Sequence, residues 1–153
     1  MKILCFDQAS KKTAFAVGEN GKLTDYGMLI ATGDGDDRIY KMADFIRKTI
    51  VKIVPDLIVL ENIQLQSGNV KTYQMLARLQ GMIIYAVKEL KIPYKIIPPV
   101  TWKSHCGFAK SKRVFQKQAS IEYAENRYGV ALSGNDDLAD SMNILAYAFD
   151  CLD

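Results

Sequence analysis

Four acidic residues, Asp7, Glu61, Asp137 and Asp140, stand where a carboxylate is costly unless something positive answers it. Asp7 closes the apolar run "ILCF" and Glu61 closes "LIVL". Both runs read as buried strands, in which aspartate and glutamate are poor residues. Asp137 and Asp140 open "DDLADSMNILAYAFDCLD", a helix that is apolar for most of its length. At 100° per residue they lie about 60° apart, on one face of one turn. Carboxylates that close repel one another, and a buried one without compensation takes up a proton or costs several kcal/mol. Asp136 and Asp137 have an ordinary explanation, since acids in a first turn complement the helix dipole and cap free N–H groups. Asp140 is about a turn further in and is harder to explain that way. If the strand ends and the helix start converge, divalent metal removes the cost, because hard oxygen ligands are what Mg²⁺ requires. The chemistry such a site supports is phosphodiester hydrolysis, with two ions about 4 Å apart activating water on one side and stabilising the leaving oxygen on the other.

The charge pattern names a matching partner. Net charge is only +3, but between Asn62 and Ile121 the sole acidic residue is Glu89. The same stretch carries Lys71, Arg78, Lys88, Lys91, Lys95, Lys103, Lys110, Lys112, Arg113 and Lys117. Such segregation makes one surface basic, which suits a polyanion, although a lysine-rich solubilising face would look the same.

The elements that must position these residues follow from pattern. A chain of 153 residues, 49% of them apolar, fits a single domain over residues 1–153. No apolar run is long enough to cross a bilayer, and "MKILCFDQ" is charged too soon for a signal peptide, so a cytoplasmic protein without membrane association is expected. Cys5, Cys106 and Cys151 are odd in number and unpatterned, and read as reduced thiols; one histidine, His105, beside Cys106 makes a poor zinc motif. "KILCF" reads as a first strand, and "TAFAVGENGKLTDYGMLI" as two more around the turn Glu19-Asn20-Gly21, giving an antiparallel three-strand meander. A helix follows from Arg38, then the strand "DLIVLE", then a long helix from Val70 to Leu90. "IPYKIIPP" reads as a fifth strand, "VTWKSHCG" as a short helix closed by Gly107, and "SKRVFQKQASIEYAENRYG" as a helix capped by Ser111 and ended by Gly129. Strands that begin as a meander and then alternate with helices predict an α/β fold, a mixed five-stranded sheet flanked by helices on both faces.

The order of these parts resembles RuvC-type Holliday junction resolvases, which have the ribonuclease H-like fold. "ILCFDQASKKTAFAV", "LIVLEN", "LARLQGMIIYAV", "TWKSHCGFAKSKRV" and "DDLADSMNILAYA" follow in the family's sequence, and the resemblance covers nearly the whole chain. It implies that Asp7, Glu61, Asp137 and Asp140 are the catalytic, metal-holding quartet, with Asp136 a neighbouring cap. The family's lysines fall on Lys103 and on Lys110 or Lys112, between which spacing does not decide. Two departures mark a divergent member. The first motif reads Asp7-Gln8-Ala9 rather than Asp-Pro-Gly, with Ala14 and Ala16 at later glycine positions, and Gln64 replaces an aromatic wedge. A compact, divergent resolvase of this kind resembles those of bacteriophages infecting low-GC bacteria.

The resemblance implies a Mg²⁺-dependent endodeoxyribonuclease with two ions per site, Mn²⁺ able to substitute, acting on branched DNA as a two-fold homodimer that nicks two strands symmetrically. Lys103, Lys110, Lys112, Arg113 and Lys71 would hold phosphates. Gln64 and Asn69 belong to a polar loop that either reaches into the junction or is a solvated connection. The Val70–Leu90 helix has an apolar arc wider than the roughly 100° one sheet requires, so it serves either the core or a second copy of the chain. The alternatives are a ribonuclease H-like nuclease for structured RNA or RNA–DNA hybrid, and a branched-DNA-binding protein without turnover. A sugar kinase-like phosphotransferase would need glycine-rich phosphate loops that are not present.

Overall fold

Strand β1 (Lys2–Asp7) is the centre of the sheet, and the computed structural model, which describes residues 1–153, builds everything outward from it. On one side it pairs antiparallel with β2 (Lys12–Glu19), which pairs antiparallel with β3 (Lys22–Ile30). On the other side it runs parallel to β4 (Leu57–Glu61), which runs parallel to β5 (Tyr94–Ile97). The order is therefore β3-β2-β1-β4-β5. The β2–β3 turn falls at Asn20 and Gly21, with φ of 53° and 75°, the left-handed pair that a tight hairpin requires.

Alternation along the strands divides the core in two. Leu4, Phe6, Ile58 and Leu60 face helices α1 (Gly35–Ile53) and α2 (Val70–Glu89), meeting Met42, Ile46, Leu79 and Ile83. Ile3, Cys5, Leu57 and Val59 face the other way, against Trp102 of α3 (Pro99–His105), Ala124 of α4 (Arg113–Tyr128) and Met142 and Leu145 of α5 (Asp136–Cys151). Helix α5 lies close on β1 and β2 because Gly18 presents no side chain; a Cβ there would collide with Phe149 and Leu145. The expected mixed sheet with helices on both faces is thus the observed architecture.

Two expected caps are replaced. Helix α4 begins at Arg113, after Lys112, because Ser111 is held in the preceding turn: its N–H donates to the Phe108 carbonyl and its own carbonyl accepts from Gln116 Nε2. At α5 the cap is Asn135, whose side chain accepts the Leu138 N–H at 3.1 Å. Asp136 is thereby free to pair with Lys117 at 3.0 Å. No helix is long and apolar enough to cross a membrane.

Candidate active site

The parallel register of β1 and β4 sets Phe6 opposite Leu60, so Asp7 and Glu61 are the next pair along, at the carboxyl ends of adjacent strands. By the same alternation, both belong to the row of Ile3, Cys5, Leu57 and Val59, facing α5. Crevices outside the carboxyl ends of strands are where α/β sheets place their ligands. Asp140, in the second turn of α5, comes down onto this corner because α5 packs across β1 and β2.

Each acid has a distinct environment. Trp102 Nε1 donates to Glu61 Oε2 at 2.6 Å, and the Glu61 carbonyl accepts from both Gln8 Nε2 and Gln80 Nε2 at 3.1 Å. Ser120 Oγ donates to Asp140 Oδ1, while Asn143 Nδ2 donates to the Ser120 hydroxyl and carbonyl at 2.9 Å. Asp7 has neither kind of fixed partner.

The electrostatics follow from this geometry. Burial holds the Asp7 carboxyl well above the usual range, and Glu61, Asp140 and then Asp137 push it further, with Lys103 in partial opposition. Burial likewise lifts Glu61 to about 7, against the Trp102 bond, with Asp140 adding and Lys103 subtracting. Asp140 is lifted to about 6 by burial, against its bond from Ser120 and against Lys103. Asp137 is raised by burial and Asp136, and is eased by Lys117 and Lys12. It belongs to the rim, lining a shallow pocket with Lys12, Asn135 and Asp136, whereas Asp7, Glu61 and Asp140 form the inner set.

Lys103 is the one cation that acts on all three inner acids, yet it forms no ion pair with any of them. Its ammonium donates to Gln116 Oε1 at 3.4 Å and lies 5.3 Å from the Trp102 ring centre. The mutual repulsion of the acids therefore stands. All the donors are hard carboxylate oxygens, which fits a divalent ion of the Mg²⁺ kind in both charge and ligand type. No group of three His, Cys, Asp or Glu side chains is already closed around a single point, however. The bonds from Trp102 and Ser120 turn Glu61 and Asp140 towards the walls, so the donor set fits the ion while the side chains have still to close on it.

The remaining expected residues lie around this corner. Gln64 lines a cleft of about 150 Å³ beside Glu61, together with Gln8, Asn62, Gln66 and Lys103. Asn69 precedes α2 without capping it, and Lys71 is exposed in its first turn. Arg113 Nη1 donates to Gln66 Oε1 at 3.4 Å, joining the start of α4 to the loop after Glu61. Lys110 and Lys112 are exposed in the connection from α3 to α4, and neither forms an ion pair with an acid. His105 is bonded to Asp150 at 2.9 Å, on the far end of α5.

Sequence reading missed Trp102, Ser120, Gln8, Gln80 and Asn143, which orient the acids. Only Trp102 left a signal: the chain's single tryptophan, if buried, needs an acceptor for its N–H, and Glu61 is that acceptor.

No protein-family model matches the chain, and no curated protein sequence is significantly similar to it. Solved structures are similar over its whole length. Thermus thermophilus RuvC in complex with a Holliday junction substrate superposes with a TM-score of 0.76, covering 99% of this chain and 97% of that one at 13% identity. The fowlpox virus resolvase, bound to Holliday junction DNA, gives 0.61 at 20% identity with both chains fully covered. The yeast mitochondrial Holliday junction resolvase Ydc2 gives 0.65 at 17% identity, over 94% of this chain and 75% of that one. The chain has the ribonuclease H-like fold in the form these resolvases share.

Proposed function

We propose that this protein is a divalent-metal-dependent endonuclease that resolves four-way DNA junctions by paired nicks from a homodimer. The observation that carries the reading is the acid corner. Asp7, Glu61 and Asp140 come from three elements to one place, all are raised, and no cation is paired with them. A protein stable enough to fold retains such a cost where a ligand relieves it. The choice of branched DNA is supported by the shared fold of solved resolvases, two of them bound to Holliday junctions.

Asp7, Glu61 and Asp140, with Asp137 at the rim, would hold the ions, Asp7 being the member on which all the others act. Bound Mg²⁺ or Mn²⁺ would supply an activated water and stabilise the leaving oxygen. The protein's own part is orientation. Trp102 and Ser120 each engage one carboxylate oxygen of Glu61 and Asp140, leaving the other for a ligand. Lys103, free of any ion pair, is placed to meet the phosphate that approaches these acids. Lys110, Lys112, Arg113 and Lys71 would hold phosphates further along the strand, positioning DNA without reading its bases. Gln64 and Asn69 would border the same path.

The dimer belongs to this proposal. A groove of about 1030 Å³ between α1 and α2 is bordered by Tyr40, Met82 and Tyr85, with Tyr40 64% and Tyr85 72% exposed. A symmetric contact between two α2 helices would cover it and set two sites back to back. A nicking assay on a synthetic four-way junction tests the whole reading. Paired cuts with Mg²⁺ or Mn²⁺, none with chelator, and slower cutting of linear duplex and of structured RNA are expected. Cutting that persists in chelator would refute the metal assignment, and a light-scattering mass of one chain on the bound junction would refute the dimer.

A further inference from the structure

An apolar pair stands inside a basic stretch of the surface. Val114 and Phe115 are 71% and 62% exposed, in the first turn of α4. The inward face of that helix is marked by Ser120 and Ala124, and Phe115 is about 140° around from Ser120, so its ring leaves the protein. Lys110, Lys112, Arg113 and Lys117 flank it, with no acidic residue among them. Helix α4 has no side-chain cap and no acid in its first turn.

The same turn is tied to the rim of the acid corner at three points. Arg113 reaches Gln66 in the loop after Glu61, Gln116 receives Lys103, and Lys117 pairs with Asp136 at the start of α5. That loop, Asn62–Asn69, contains no aromatic ring, but it exposes Leu65 at 61%. The other exposed rings of the helical layers, Tyr40 and Tyr85, border the α1–α2 groove, where Asp36, Asp44 and Glu89 balance Arg47 and Arg78. Phe115 instead follows Lys110, Lys112 and Arg113 in the chain, none of which is paired with an acid, while Lys117 beyond it pairs with Asp136. A partner that offers closely spaced negative charges beside flat apolar faces is nucleic acid with bases that lack a stacking neighbour.

We infer that Phe115 is a base-stacking residue that covers an unstacked base at a DNA branch point, with Val114 and Leu65 widening the apolar seat and the neighbouring lysines holding the flanking phosphates. The inference rests on the proposed branched-DNA substrate and names a residue that selects for it. A synthetic four-way junction carrying 2-aminopurine at one branch position in turn, titrated in chelator, reads it without turnover. Native protein is expected to quench one branch position, while Phe115→Ala binds the junction about tenfold more weakly and removes the quenching. Binding to linear duplex changes less than about twofold, and Phe115→Trp retains both junction properties. The inference is overturned if Phe115→Ala binds the junction like native protein, or loses junction and duplex equally. It is also overturned if the variant changes from dimer to monomer, which would assign the ring to a subunit contact. Native protein that binds junction no better than duplex would instead refute the branched-DNA reading itself.

Discussion

The acid corner and the basic rim are neighbours built in opposite ways. Asp7, Glu61 and Asp140 are set into the fold, and two of them are fixed by bonds from buried partners, Trp102 and Ser120. Lys110, Lys112 and Phe115 stand in water with no bond from their side chains to the protein. Charge in the corner is held at low solvation, where it opposes folding and where a divalent ion changes its energy greatly. Charge on the rim is solvated and screened, each group counts for little, and neighbours can substitute for one another. On the proposed function, chemistry would concentrate in a few irreplaceable atoms, and strand positioning would be spread over many replaceable ones.

The largest test of that contrast is Asp7→Asn. Loss of the acid on which all the others act is expected to lower junction cutting by at least about a thousandfold, on the scale of one preorganised electrostatic group or more. The metal-free variant should melt no lower than native protein, because the change removes a carboxyl whose charged form burial disfavours. Cutting near the native rate would break the distinction between corner and rim outright.

Stability against pH sharpens it next. The inner acids have folded pKa values above their unfolded ones, so between about pH 4 and pH 7 the folded state binds more protons than the unfolded chain. Stability from these groups is present at the acid end of that window and is lost as pH rises through it. For Asp140, raised to about 6, the loss is about 2–3 kcal/mol by neutral pH. In chelator the melting temperature should therefore fall from pH 5 to pH 8, Mg²⁺ should restore it at the upper end, and Asp140→Asn should flatten the slope. A metal-free melting curve that rises across this range would remove the buried repulsion from the account.

How far this division was legible in the sequence depended on distance along the chain. The strands, the hairpin at Asn20-Gly21 and the long second helix follow from local pattern; the expected Val70–Leu90 differs from the observed Val70–Glu89 by one residue. Acids at strand ends and helix starts are local features too. What pattern could not state was depth. Asp137 and Asp140 differ by one turn, and only the packing of α5 on the sheet makes Asp140 an inner group and Asp137 a rim group. Nor could it find the partners, since Trp102 lies 41 residues from Glu61 and Ser120 lies 20 from Asp140. The two mistaken caps have a local cause: Ser111 and Asp136 are good capping residues, but the backbone of Ser111 closes the turn before Lys112, and the carboxylate of Asp136 pairs with Lys117.

Trp102→Phe probes the wall of the corner at intermediate scale. It keeps a ring in the buried site, at some loss of packing, and removes the bond that lowers the Glu61 pKa. Glu61 should then hold its proton to higher pH, moving the acid limb of the rate–pH profile upward by about one unit, or about tenfold in rate near pH 6.5. An unmoved limb with a lower plateau would mean that Trp102 acts by packing alone.

The smallest effects belong to the rim, and there the slope against salt is more telling than the affinity. Lys110→Ala and Lys112→Ala should each weaken junction binding only a few-fold at moderate salt. A residue that holds a phosphate should also reduce the slope of log affinity against log salt by about one, and one that only solvates the surface should leave it unchanged. The two lysines share exposure and sequence neighbourhood, so nothing in the folded chain ranks them. If both reduce the slope, phosphate holding is distributed as the contrast requires. If one of them instead abolishes cutting at unchanged binding, that lysine belongs with Lys103 at the acids, and the boundary between corner and rim moves outward to include the connection between α3 and α4.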